Sequence, residues 1–284
     1  MATLNRCCPW AVVACVFSAT SSGAENRPSG LPFRLYQEYL IVAKGSIGES
    51  ERLEFLIDTG TTQTLVDLDI ARKLRLEITE GIEVEGFKNG QTRKAMVPEL
   101  RFGPVVVRSA RVLVADLSFL SSYGTRIDAI IGLDVLRLSS FRVDYAAQRI
   151  TFGPVADSPS TVAFQAVVPL LIVDLKIGSQ IARLMVDTGA PRLTLFPNRM
   201  QSRLPGFLLK GARTGQSPGG MSQLRDVELA ACRLGPTEWR HVLAFLADVP
   251  APSFLDFDGV LAPSSLAVKS MGFDFQRNRL SWEK

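Results

Sequence analysis

Phe55-Leu56-Ile57-Asp58-Thr59-Gly60-Thr61 and Leu184-Met185-Val186-Asp187-Thr188-Gly189-Ala190 are two versions of one phrase. Each is an apolar run of strand character that ends in Asp-Thr-Gly. The run brings a carboxylate to the end of a strand, and the glycine permits a tight turn with backbone close to that carboxylate. A single carboxylate in such a turn is ordinary. Two, on duplicated scaffolds, imply a pair that shares a proton and activates water.

The duplication extends well beyond these turns. Asp58 and Asp187 are 187 − 58 = 129 residues apart. Ile127-Asp128-Ala129-Ile130-Ile131-Gly132-Leu133 recurs as Phe257-Asp258-Gly259-Val260-Leu261-Ala262-Pro263, with Gly132 and Ala262 separated by 262 − 132 = 130. Phe141 to Phe152 and Gly272 to Trp282 end the halves alike, and Asp144 and Asp274 are again 274 − 144 = 130 apart. Landmarks that hold register within one residue mean a doubled unit.

Short β-branched and aromatic runs broken by Gly, Pro and Asn give the chain the texture of strands. A strand pair turns near Gly48 in the first half and near Gly178 in the second. Asp67 to Leu74 reads as a short helix with Ile70, Ala71 and Leu74 on one face, and a weaker counterpart falls at Asn198 to Leu204. Lys88-Asn89-Gly90-Gln91 is a tight-turn signal, matched by Pro218-Gly219-Gly220. The turn centres follow the aspartates by 89 − 58 = 31 and 219 − 187 = 32 residues. Offsets that agree within one residue suggest paired flaps over a cleft, with Asn89, Gly90, Gly219 and Gly220 at their tips. Gly153 to Ser160 is a linker by composition, whose prolines should keep the sheets of the two lobes apart.

The 284 residues suffice for two domains, and 46% apolar with 21% charged residues is a globular composition. Lys and Arg exceed Asp and Glu by 32 − 28 = 4. These charges are scattered, without the basic, aromatic-interleaved patch of a nucleic-acid reader. Arg6 precedes an apolar stretch from Cys7 to about Thr20, and Ser22-Gly23-Ala24 offers a cleavage site, so residues 1–24 read as a signal peptide. Export to the periplasm or outside the cell is the expectation, with lipid anchoring at Cys15 as the alternative. After signal removal no integral membrane span is expected. The ten or so residues between Ala24 and the first strand are too few for a long inhibitory prosegment. Cys232 would then be the one cysteine of the mature chain, and with His241 as the one histidine neither a disulfide nor a metal site is expected.

Asp58-Thr59-Gly60-Thr61, Asp187-Thr188-Gly189-Ala190, the apolar-apolar-Gly element at Ile130-Ile131-Gly132 and the repeat together resemble the retropepsin-like and pepsin-like aspartic peptidases. The resemblance runs from about Leu35 to the C-terminus. It implies an all-β fold, mainly β with short helices, built as two homologous closed β-barrel lobes with the active site at their interface. The lobes are expected at 33–153 and 165–284, joined by a linker at 154–164. It further implies an endopeptidase that hydrolyses polypeptides without a cofactor, with Asp58 and Asp187 catalytic. Thr59 and Thr188 match the family's crossed threonines, and Ile131, Gly132, Leu261 and Ala262 would pack beneath the pair. A monomer is expected, with pairing of halves between two chains as the variant.

Two departures separate the halves. Ala262 stands where the second half should carry glycine, and its Cβ beneath the turn could displace Asp187. Thr61 has a hydroxyl to give Asp58, whereas Ala190 has none for Asp187, which leaves Asp187 as the proton carrier. Ala262 also motivates the rival reading, a peptide-binding module of the same fold that lost turnover. A serine-hydrolase elbow at Gly215-Gln216-Ser217-Pro218-Gly219, with Asp226 and His241 downstream, fails on chemistry. Pro218 has no N–H to offer an oxyanion. Asp128 and Asp258 repeat in register as well, and turn capping is their expected use.

Overall fold

The computed structural model describes residues 30–82, 92–167, 170–200, 206–217, 220–247 and 257–284. The signal-peptide reading, Asn89, Gly90 and Gly219 lie outside the described residues. In the first half, Leu40–Ile47 pairs with Ser50–Ile57, which runs parallel to Ala129–Ile131. That strand borders Leu65–Asp67, which runs parallel to Val105–Ala115. Val105–Ala115 pairs with Thr92–Phe102, whose far end returns to Leu40–Ile47 through Ile47↔Leu100. The ring is closed, so no barrel edge is left unpaired.

The second half repeats the circuit with the same strand directions. Leu170–Ile177, Gln180–Val186, Gly259–Leu261, Leu193–Leu195, Thr237–Ala247 and Gly220–Leu234 follow in order, and Ile177↔Cys232 closes the ring. Inward-facing side chains fill each barrel. Phe55, Ile57, Phe102 and Ile131 are fully buried in the first, as are Leu184, Val186, Leu195 and Leu261 in the second. Removing a side chain of this size from water is worth about 1.5–3 kcal/mol, so these strands hold the turns at their ends firmly.

The lobes are joined by a sheet of their own, which corrects the expectation that the linker would keep them apart. Phe141–Asp144 pairs antiparallel with Ser270–Asp274, and Phe141 stacks on Phe273 at 4.8 Å between ring centroids. The prolines of the linker lie outside this ladder, and each half's closing hairpin offers a free apolar edge that the other covers. The stretch read as linker, 154–164, also contains a strand. Thr161–Ala163 borders Arg279–Glu283 as Leu31–Tyr36 borders Arg149–Phe152 in the first half. Leu31 and Thr161 are 161 − 31 = 130 apart, so the second half begins inside that stretch.

The helix expected at Asp67 to Leu74 forms at Leu68–Lys73, with the Asp67 carboxylate capping Asp69 N–H. Its expected counterpart starts as a turn in which Phe196 O accepts from the N–H of Arg199 and Met200. Residues 201–205 lie outside the described part. Both expected flap hairpins have paired arms, Ile78–Ile82 with Thr92–Phe102 and Phe207–Ser217 with Gly220–Leu234. Gly220 begins the second arm opposite Ser217. The next described element after Ser217 is the strand Gly220–Leu234, where a serine elbow calls for a helix. Among the described residues no helix is long and apolar enough to cross a membrane.

Candidate active site

Asp58 and Asp187 end the strands Ser50–Ile57 and Gln180–Val186, and both turns are anchored from below in the same way. Asp58 N–H donates to Ile131 O at 3.1 Å and Asp187 N–H to Leu261 O at 3.0 Å. Ile131 and Leu261 are fully buried, so the carbonyls that locate the aspartates belong to rigid strand ends.

The two turns then lock to each other. Thr59 Oγ1 donates to Val186 O at 2.9 Å and accepts from Thr188 N–H at 3.1 Å. Thr188 Oγ1 donates to Ile57 O at 2.7 Å and accepts from Thr59 N–H at 3.1 Å. The four bonds cross between the halves, and both threonines are buried. A hydroxyl that donates and accepts at once is needed at each position, which serine or threonine can supply and alanine cannot.

Gly60 and Gly189 are required by the opposite half. A Cβ on Gly60 would lie 2.5 Å from Asp187 Cγ, and one on Gly189 would lie 3.0 Å from Asp58 Cγ. Each aspartate therefore occupies the space that its partner's glycine leaves open. Gly60 N–H donates to Asp58 Oδ1 at 2.8 Å, and Gly189 N–H to Asp187 Oδ1 at 2.7 Å. Thr61 Oγ1 adds a 2.8 Å bond to Asp58 Oδ2. Ala190 can offer only its backbone N–H.

Burial, the charge of Asp58 and a hydrogen bond with Asp58 hold the Asp187 carboxyl well above the usual carboxylate range. The N–H groups of Gly189 and Ala190 oppose that shift without cancelling it. Two carboxylates in hydrogen-bond contact do not both ionise.

Ala262 fits where its sequence position raised concern. In the first half a Cβ on Gly132 would meet Thr61 O at 2.9 Å and Gln63 C at 2.8 Å, because Leu133 N–H pulls Thr61 O close at 2.8 Å. The second half has Pro263 after Ala262, and proline has no N–H to pull the Ala190 carbonyl down. The substitutions act together: the bond that crowds the glycine is absent where a methyl must be housed. Ala262 is fully buried.

Asp128 and Asp258 are structural. Asp128 Oδ2 accepts from Glu54 N–H and Asp258 Oδ2 from Arg183 N–H, both at 2.8 Å. His241 is exposed and paired with Glu228 at 2.7 Å, and Cys232 is buried. Among the described residues no group of His, Cys, Asp and Glu could hold a metal ion. Beside the Asp187 turn lies a cavity of about 590 Å³ lined from both halves, by Tyr39 and Tyr123 of the first and by Arg192, Arg213 and Phe245 of the second. Sequence reasoning missed these residues. Arg192 follows Asp187 by the same five positions as Gln63 follows Asp58, and that register was the one signal available.

Residues 43–135 match the aspartyl protease family, a span that includes Asp58 and Gly132. No curated protein matches the chain. Among solved structures, it is similar to a retropepsin-like aspartic protease from Rickettsia conorii, with 19% identity and a TM-score of 0.34. That match covers 43% of this chain and 98% of the other. Over residues 43–135 the chain is thus similar to the aspartyl protease family.

Proposed function

We propose that this chain is an aspartic endopeptidase whose water-activating pair is Asp58 and Asp187, both from one polypeptide. The reading rests on the reciprocal packing of each aspartate into the space beside the opposite glycine. A cleft that only bound peptides would have no need to keep two mutually repelling carboxylates together.

The roles follow from the differences around the two groups. Asp58 accepts from Gly60 N–H and Thr61 Oγ1, and hydrogen bonds of this kind favour a charged carboxylate. It acts as general base on water. Asp187 carries the shared proton and donates it toward the scissile carbonyl. As water adds, the carbonyl oxygen gains the negative charge that the Asp187 proton stabilises. Collapse of the tetrahedral species then returns that proton to Asp187 and releases the amine, which takes the proton that Asp58 drew from water, with no bond formed to the enzyme.

The polypeptide substrate, the export of the chain and a monomeric state with both aspartates in cis belong to the same proposal. Cleavage of an unfolded protein across acidic to neutral pH tests it, with Asp58→Asn and Asp187→Asn as controls. Each variant should lose at least about 10³-fold in kcat/KM, as expected when one member of an acid–base pair is removed. Wild-type failure at every pH would favour the binding module.

A further inference from the structure

The cavity beside the Asp187 turn has its own chemistry. Arg213 Nε contacts Asp226 Oδ2 at 2.7 Å, and Arg192 Nη1 contacts Asp226 Oδ1 at 3.3 Å. Both guanidinium groups also lie over the ring of Phe245, at 5.2 Å for Arg192 and 5.6 Å for Arg213. Two cations thus share one carboxylate and one aromatic ring, and one positive charge is left over. Asp226 is only 8% exposed, so it works as a fixed bracket. The arginine side chains are 34% and 55% exposed and can be reached from the cavity. Such pre-organised, planar donors suit a carboxylate. The Tyr39 phenol, held protonated by burial and by its hydrogen bond with Tyr123, lines the same cavity from the first half. Glu38 lies at the rim. It is exposed, where water and salt weaken its opposition.

The first half has a cavity of about 530 Å³ at the matching place, with Gln63, Lys94 and Leu113 in its lining, but no arginine pair on a shared carboxylate. Through the shared strand register, Lys94 takes the position of Asp226, Leu113 that of Phe245 and Gln63 that of Arg192. The arginine pair was therefore not inherited as part of the repeated scaffold.

We propose that this cavity binds a substrate carboxylate, making the enzyme selective for an acidic group at one position near the cleaved bond. The inference rests on the proteolytic reading of the adjacent aspartates. The carboxylate could come from an Asp or Glu side chain or from the C-terminus of a short peptide, and the two sources are separable.

The experiment scans Glu against Gln at each position around a cleaved bond, in peptides ending in a free carboxylate or an amide. At one position Glu should exceed Gln by about 10- to 100-fold in kcat/KM, the worth of a charge-assisted pair. Arg192→Gln and Arg213→Gln should each bring that ratio toward one, with thermal melting verifying the fold. A preference for free acid over amide, abolished in the same variants, would assign the site to a terminal carboxylate. Equal cleavage of Glu and Gln peptides at all positions, with no free-acid preference, overturns the proposal. If no peptide is cleaved, proteolysis fails as a reading, and fluorescence titration of the same peptides decides the pocket. Tighter binding of Glu or free-acid peptides that requires the arginines supports it, and equal affinities overturn it.

Discussion

The two halves fold along the same circuit yet equip their aspartates differently. The first half gives Asp58 a hydroxyl from Thr61 and a glycine at position 132, held tight by the Leu133 N–H. The second half gives Asp187 neither, and replaces Gly132 and Leu133 with Ala262 and Pro263. The difference teaches that duplication preserves backbone register far better than it preserves the proton preferences of the groups carried. A symmetric pair of carboxylates would share its proton evenly. This pair is surrounded unequally: Asp58 receives a side-chain hydroxyl from Thr61, and the Asp187 carboxyl is held well above the usual carboxylate range.

The strongest way to break the comparison is to crowd one turn at a time. Gly60→Ala pushes a Cβ into Asp187 Cγ, and displacement of a reacting group on that scale should lower kcat/KM by about 100-fold. Gly189→Ala has a looser contact and should lose about tenfold. Equal losses measured by steady-state kinetics would show that the pair is more symmetric than its surroundings imply. Thr61→Ala should reduce kcat about tenfold, the worth of one hydrogen bond to a charged group, and move the acidic limb of the pH–rate profile upward. An unmoved limb would mean that Thr61 does not bias the pair.

Stability tests the packing below the turns. Gly132→Ala should destabilise by about 1–3 kcal/mol through overpacking against backbone. Ala262→Gly should cost about 0.5–1 kcal/mol, chiefly through unfolded-chain freedom. Chemical denaturation measures both, and similar values would dissolve the argument that Pro263 makes room for Ala262.

The smallest effect concerns pH. The folded state raises the Asp187 pKa, so its contribution to stability is full below the unfolded carboxylate value and is lost as pH rises through the folded value. Asp187→Asn should therefore melt higher than the wild type above that folded value, and the gain should disappear on acidification. A melting difference that does not change with pH would contradict this linkage.

Much of this was legible because the repeat carries its own ruler. The aspartates, the crossed threonines and the strand ends at Ile131 and Leu261 hold the same offset to within one residue, and a β fold follows from short apolar runs with turn residues between them. The joining of the lobes was not legible. The linker prolines argued for separation, but Phe141 and Phe273 meet across a sheet that no local feature announces. The second half's first strand was hidden for the same reason, since Thr161–Ala163 is short and half-exposed and forms only against the edge of Arg279–Glu283.

By itself the sequence determined that two Asp-Thr-Gly turns occupy equivalent ends of two like units, because strand register and glycine turns are local properties written residue by residue. Only the tertiary structure decided that each glycine makes room for the other half's aspartate, that Pro263 relieves Ala262, and that Arg192 and Arg213 converge on Asp226. Those facts depend on distances between segments far apart in the chain, and such distances are set by how two barrels pack.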